Sequence, residues 1–128
     1  MKIKHSAISA EAVGLLMFVC PVFANHGTAA YETTQETTVK GTVTDFEFIN
    51  PHTLIFLDVK NDKGYVEHWQ VDAQSPNQLT RDGWTKNSIK PGDSIAVTGF
   101  RAKNRSNILR FLRVVLSSGR EIKAAPVF

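Results

Sequence analysis

Two runs dense in β-branched and aromatic residues, Thr38–Ile49 and Thr53–Lys60, are separated only by Asn50-Pro51-His52. The proline limits what that junction can be. Its ring holds φ at about −65° and pushes Asn50 towards extended backbone, so neither a helix nor an unbroken strand passes through. The junction is a corner, and it presents His52 at the start of the second run. A third run, Tyr65–Asp72, follows the turn Asn61-Asp62-Lys63-Gly64, whose glycine suits a positive φ, so it should pair antiparallel with the second. Alternation sets Tyr65, Trp69 and Val71 on one face with Glu67, and a core is expected there. Asp58 and Glu67 could face each other across the hairpin, but surface charge is the commoner explanation for both.

Within the first run the apolar positions change parity, from Val39, Gly41 and Val43 to Phe46 and Phe48. Such a slip predicts a bulge or coil near Thr44-Asp45. Ser75-Pro76-Asn77-Gln78 combines a serine cap, a proline at the first helical position and a glutamine three residues after the cap. These predict a helix over Pro76–Asp82, stopped by Gly83 and docked through Leu79 and Trp84. Lys90-Pro91-Gly92-Asp93 is a turn, Ser94–Arg101 a strand, Ala102–Asn107 a basic loop, Ile108–Leu116 a last long strand, and Glu121-Ile122 a short extended run. The order is strand, strand, strand, short helix, strand, strand. That order predicts a mainly β fold, the five-stranded Greek-key barrel called the OB-fold, with its helix between strands three and four. An open antiparallel sheet or small sandwich is the alternative, but a barrel better explains a first strand that must bend to serve both halves.

The start of the chain reads as an export leader. Lys2 and Lys4 precede an apolar stretch, Ala12–Phe23, and Val22-Phe23-Ala24 has the small-residue pattern of a cleavage site. Residues 1–24 are therefore expected to be removed, leaving no membrane span and a periplasmic or secreted protein that begins at Asn25. The apolar stretch is shorter than the roughly 20 residues a bilayer requires. Cys20, the sole cysteine, would leave with it, and no disulfide or thiolate site would remain. About 100 residues then form one domain with a single modest core. Residues 25–37, polar and aperiodic, are expected to be a flexible arm, 38–122 the barrel and 123–128 a loose tail. The formal net charge of +3 is mild, so nucleic acid is not the expected partner and a soluble monomer is.

The ordered motifs Gly41-Thr42-Val43, Asn50-Pro51-His52, Trp69, Gly83-Trp84 and Pro91-Gly92-Asp93 resemble those of a family of small exported bacterial proteins of unknown function. The resemblance covers nearly all of the mature chain. It implies an exported OB-like barrel and no particular activity. Members typically start Ala-His-His-Ser after the leader, whereas this chain reads Ala24-Asn25-His26-Gly27 and lacks the first histidine.

Two constellations could carry function. Arg101, Lys103 and Arg105 lie in the loop between strands four and five, which in an OB-fold flanks the ligand face together with the loop between strands one and two. The latter holds Asn50 and His52. These five residues are the expected ligand site, suited to a small anionic or polar envelope ligand. The other reading is a metal site. His26, His52 and His68 could supply imidazoles to copper or zinc, His26 and His52 being the main candidates, though no two have ligand spacing. No cofactor is otherwise expected. Ser75 reads as a helix cap and Ser117-Ser118 as a turn, and no carboxylate pair stands at helical spacing. A non-catalytic module is therefore expected rather than an enzyme.

Overall fold

The computed structural model describes residues 28–124; the leader, His26 and residues 125–128 lie outside them. A short 3-10 turn, Thr28–Ala30, leads into β1 (Tyr31–Glu47), followed by β2 (Leu54–Lys60), β3 (Val66–Asp72), α1 (Pro76–Arg81), β4 (Ser94–Ala102), β5 (Ile108–Val115) and β6 (Glu121–Lys123). The strands form one sheet in the order β3-β2-β1-β4-β5-β6, and a β3–β5 pairing closes it into a ring. This is the expected OB barrel.

β1 makes closure feasible because it serves two partners. Its first part pairs with β4, from Tyr31↔Ala102 to Thr42↔Ser94, and its last part with β2, from Thr42↔Asp58 to Glu47↔Leu54. The changeover is accompanied by a register shift between Val43 and Asp45, at the position where apolar parity switches. A bulge there bends the strand and increases its twist, which turns one sheet half across the other.

Three boundaries differ from expectation. Tyr31–Thr37 is strand rather than arm: Tyr31 is buried, and Glu36 and Thr37 pair with Phe100 and Gly99. Local polarity hid it, since Thr33, Thr34 and Gln35 fall where the β1–β4 register shifts, between Tyr31 and Glu36. Lys123 pairs with Arg113, and Ala124 is buried and donates its N–H to the Leu112 carbonyl at 3.1 Å, so the sheet continues past 122. Tyr65 precedes β3 and is 70% exposed, so it takes no part in the core.

The helix is built as its signals dictate. Ser75 accepts from the Gln78 N–H, and Pro76 occupies the first turn. At its end the Gly83 N–H bonds to Thr80 O at 3.1 Å and the Trp84 N–H to Leu79 O at 3.0 Å. This pair of bonds around a glycine at φ 92° is a Schellman motif. The motif aims Trp84 inward beside Leu79, and both are fully buried. Trp84 then meets Phe111 of β5 edge-on at 5.3 Å and Phe46 of β1 at 6.3 Å. The helix and its exit thus seal one end of the barrel, over a core that includes Ile55, Leu57, Val71, Val97 and Leu109.

Candidate functional site

At the Asn50-Pro51-His52 corner the chain leaves β1 and must rejoin the sheet. Thr53 secures the return: its N–H bonds to Gln74 O at 3.1 Å, and its carbonyl accepts from the Ala73 N–H at 2.8 Å. The Asn50–Pro51 peptide is cis. Between this corner and the closure of the barrel lies a pocket of about 300 Å³. Ile49, Pro51 and Leu54 give it apolar walls, and Asn50 and His52 stand on the corner side. Gln70 and Asp72 come from β3, Arg110 from β5 and Glu47 from the end of β1.

The floor of the pocket is a hydrogen-bonded group. Asp72 accepts from Tyr31 Oη at 2.8 Å and from Gln70 Nε2 at 2.7 Å, so both carboxylate oxygens are held. Burial, then the hydrogen bond to Asp72 and its charge, raise the Tyr31 phenol well above the ordinary tyrosine range, with Arg110 opposing. Tyr31 therefore stays a neutral donor, as a fixed partner for Asp72 must. Arg110 sits opposite Asp72 in the parallel β3–β5 pairing and makes no hydrogen bond or ion pair among the described residues. It is the uncommitted cation of the pocket.

Of the five residues expected to form the ligand site, the structure brings Asn50 and His52 into this pocket and leaves Arg101, Lys103 and Arg105 out of its lining. Arg101 is spent on its own loop. Its Nε bonds to Ser106 O at 3.1 Å, its Nη2 to Arg105 O at 2.8 Å and to Asn107 Oδ1 at 3.0 Å, and its guanidinium lies 4.9 Å from the centre of the Trp69 ring. It organises the loop and covers the tryptophan. Lys103 and Arg105 are exposed. Sequence reasoning missed Gln70, Asp72 and Arg110, because a parallel contact between β3 and β5 has no local signature.

Of the three candidate histidines His26 lies outside the described residues, and the two that are described, His52 and His68, stand apart. His68 Nδ1 lies 2.6 Å from Asp58 Oδ1 on the open face of the hairpin, its side chain 85% exposed. Asp58 and Glu67 do not face each other, since Asp58 registers with His68 and Glu67 with Val59. Leu54 pairs with Asp72 at the far end of the same hairpin. At about 3.3 Å per residue, Asp58 to Leu54 alone is roughly 13 Å of strand. His52 lies beyond that, so it and His68 cannot share an ion. Among the described residues no three His, Cys, Asp or Glu side chains are grouped to hold a metal.

The fold has solved relatives. The mitochondrial single-stranded DNA-binding protein Rim1 of S. cerevisiae is similar over 71% of this chain and 96% of its own, with a TM-score of 0.50 and 11% identity. A small single-stranded DNA-binding protein of Streptomyces coelicolor is similar over 67% of this chain and 94% of its own, with a TM-score of 0.42 and 14% identity. At such identity the likeness is one of fold. The likeness to Rim1 overturns the expectation that excluded nucleic acid, because that similar barrel is a single-stranded DNA-binding protein, and a mild net charge is no ground for removing that class of partner. Comparison with curated proteins gives no match. The model of DUF6152, a family of unknown function, matches residues 14–109, three quarters of the sequence and most of the barrel, and the chain belongs to that family.

Proposed function

We propose that the protein is an exported, non-catalytic binding module of the cell envelope whose ligand enters the pocket beside the Asn50-Pro51-His52 corner. One observation carries the binding reading: a concave, apolar-walled pocket in which a few polar groups converge, with Arg110 uncommitted. Binding sites are commonly built this way, with apolar surface supplying affinity and a few fixed polar groups setting orientation. The matching ligand has an apolar body, to lie against Ile49, Pro51 and Leu54, and a hydrogen-bonding end that reaches Arg110. Absence of chemistry is supported by the same side chains that could have performed it. Ser75 is occupied as a helix cap, and Asp58 and His68 pair in open solvent.

The export part rests on the leader pattern of residues 1–24. Fractionating cells that express the full chain should recover it outside the cytoplasm with Asn25 at its N-terminus by mass spectrometry. An uncleaved cytoplasmic chain would remove export from the reading.

Binding is tested by following backbone amide NMR signals during titration with 1-anilinonaphthalene-8-sulfonate, an aromatic body with one anionic group, and separately with oligothymidylate. Shifts should cluster at Ile49–Leu54, Gln70–Asp72 and Arg110. Arg110→Ala should weaken the anilinonaphthalene by roughly 10- to 100-fold, as loss of a charge-assisted hydrogen bond implies. Oligothymidylate shifting the same residues would identify the ligand class as nucleic acid. Shifts elsewhere, or none with either probe, would sink the pocket as the binding site.

A further inference from the structure

The first strand has an unused edge. From Glu36 to Val39, β1 is paired with β4 on one side, while β2 pairs with β1 only from Thr42 onward. No other strand of the described residues lies against the opposite side of this segment. Register says which backbone groups that edge offers. Val43 donates its N–H to Asp93 O at 2.8 Å, and its carbonyl accepts from the Gly92 N–H at 2.8 Å, so its hydrogen-bonding groups face the β4 side. In an antiparallel ladder this orientation alternates along the strand. Gly41, Val39 and Thr37 therefore face β4, and Lys40, Thr38 and Glu36 turn their N–H and C=O outwards. The Thr38 and Thr98 hydroxyl oxygens lie 2.7 Å apart, as suits the close side-chain approach of a non-hydrogen-bonded pair.

We propose that this edge joins two copies of the chain, β1 against β1, antiparallel about Thr38. The charges select that register. A two-fold axis at Thr38 sets Glu36 opposite the partner's Lys40 and Lys40 opposite the partner's Glu36, so both flanking pairs are attractive. Moving the axis two residues towards the N-terminus would instead set Glu36 against its own copy, which is unfavourable. Glu36, Thr38 and Lys40 are exposed on one face; Glu36 pairs at 2.7 Å with Arg113 of β5, an exposed ion pair that reaches across β4 and that the partner's Lys40 must compete with. The register shift between Tyr31 and Glu36 ends the ladder on one side, and the pairing of β1 with β2 from Thr42 onward ends it on the other. An edge this short buries less than a permanent interface needs, so the pairing is reversible and depends on concentration.

Sedimentation velocity of the purified protein over about a thousandfold range of concentration tests this. The average mass should rise from one chain towards two. Thr38→Pro deletes the central outward N–H without touching the β4 ladder, a position where an edge strand tolerates proline, and should hold the protein monomeric with an unchanged circular dichroism spectrum. Lys40→Glu should weaken pairing by about tenfold, and adding Glu36→Lys in the same chain should restore it. If Thr38→Pro unfolds, the charge exchange decides alone. A wild-type protein monomeric throughout, or a dimer indifferent to Lys40→Glu, overturns the proposal.

Discussion

Trp84→Ala should remove about 3–5 kcal/mol of stability, enough to leave a domain of this size largely unfolded. The indole is 1% exposed and bridges elements that no single stretch of sequence links: Phe111 of β5 at 5.3 Å and Phe46 of β1 at 6.3 Å. Deleting it opens a void at the end of the barrel, and the surrounding strands, paired along their length, cannot collapse to fill it. Thermal and urea unfolding measure the loss. The same melts separate shape from polarity, because the indole N–H has no hydrogen-bond partner among the described residues. Trp84→Phe sacrifices some volume and no hydrogen bond, and should cost less than half as much. An alanine variant that melts cooperatively near the wild-type temperature would show that Trp84 covers the barrel without holding it.

The second large effect is expected at Gly99, where β4 and β5 come too close for a side chain. A methyl group on Gly99 would fall on the Arg110 carbonyl oxygen, with the carbonyl carbon at 2.9 Å and Leu109 Cβ at 3.3 Å. These are mostly backbone atoms and cannot rotate aside. Arg110 is also fixed from its other edge by β3, through the Asp72 pairing. Gly99→Ala should therefore cost about 3 kcal/mol, at the upper end for overpacking, and should displace the β5 segment that carries Arg110 into the pocket. Gly64→Ala is the control. At Gly64 a methyl meets open space and only the positive φ of 82° opposes it, a penalty of about 1–2 kcal/mol. If Gly99→Ala destabilises no more than Gly64→Ala, the close approach is not what requires glycine. Amide shifts at Asp72 and Arg110 in the folded fraction would report whether the pocket has moved.

The first strand shows how far local pattern carries. Its bulge was legible because a parity switch between Val43 and Phe46 has one structural meaning when both halves pack on the core, Val43 fully buried and Phe46 partly so. Its first seven residues were not. Their order comes from pairing with β4, and from the Tyr31 hydroxyl reaching Asp72, 41 positions away along the chain. Arg101 illustrates the opposite error. Counted along the sequence it belongs to a run of exposed cations, yet the carbonyls of Arg105 and Ser106 and the Trp69 ring take up its guanidinium.

Residues within a few positions of one another determined the turns, the capped helix, the corner at Pro51 and the inward faces of the strands. The forces involved, the φ limits of proline and glycine, capping hydrogen bonds and the alternation of apolar side chains, act over one or two turns of backbone. Strand order was inferable because few topologies accept that succession of elements. The pocket was decided by ring closure. Only when β3 meets β5 in parallel do Asp72 and Arg110 come side by side opposite Asn50 and His52, and no local energy term in either strand encodes that meeting. It follows from the curvature that the bulge in β1 imposes on the whole sheet.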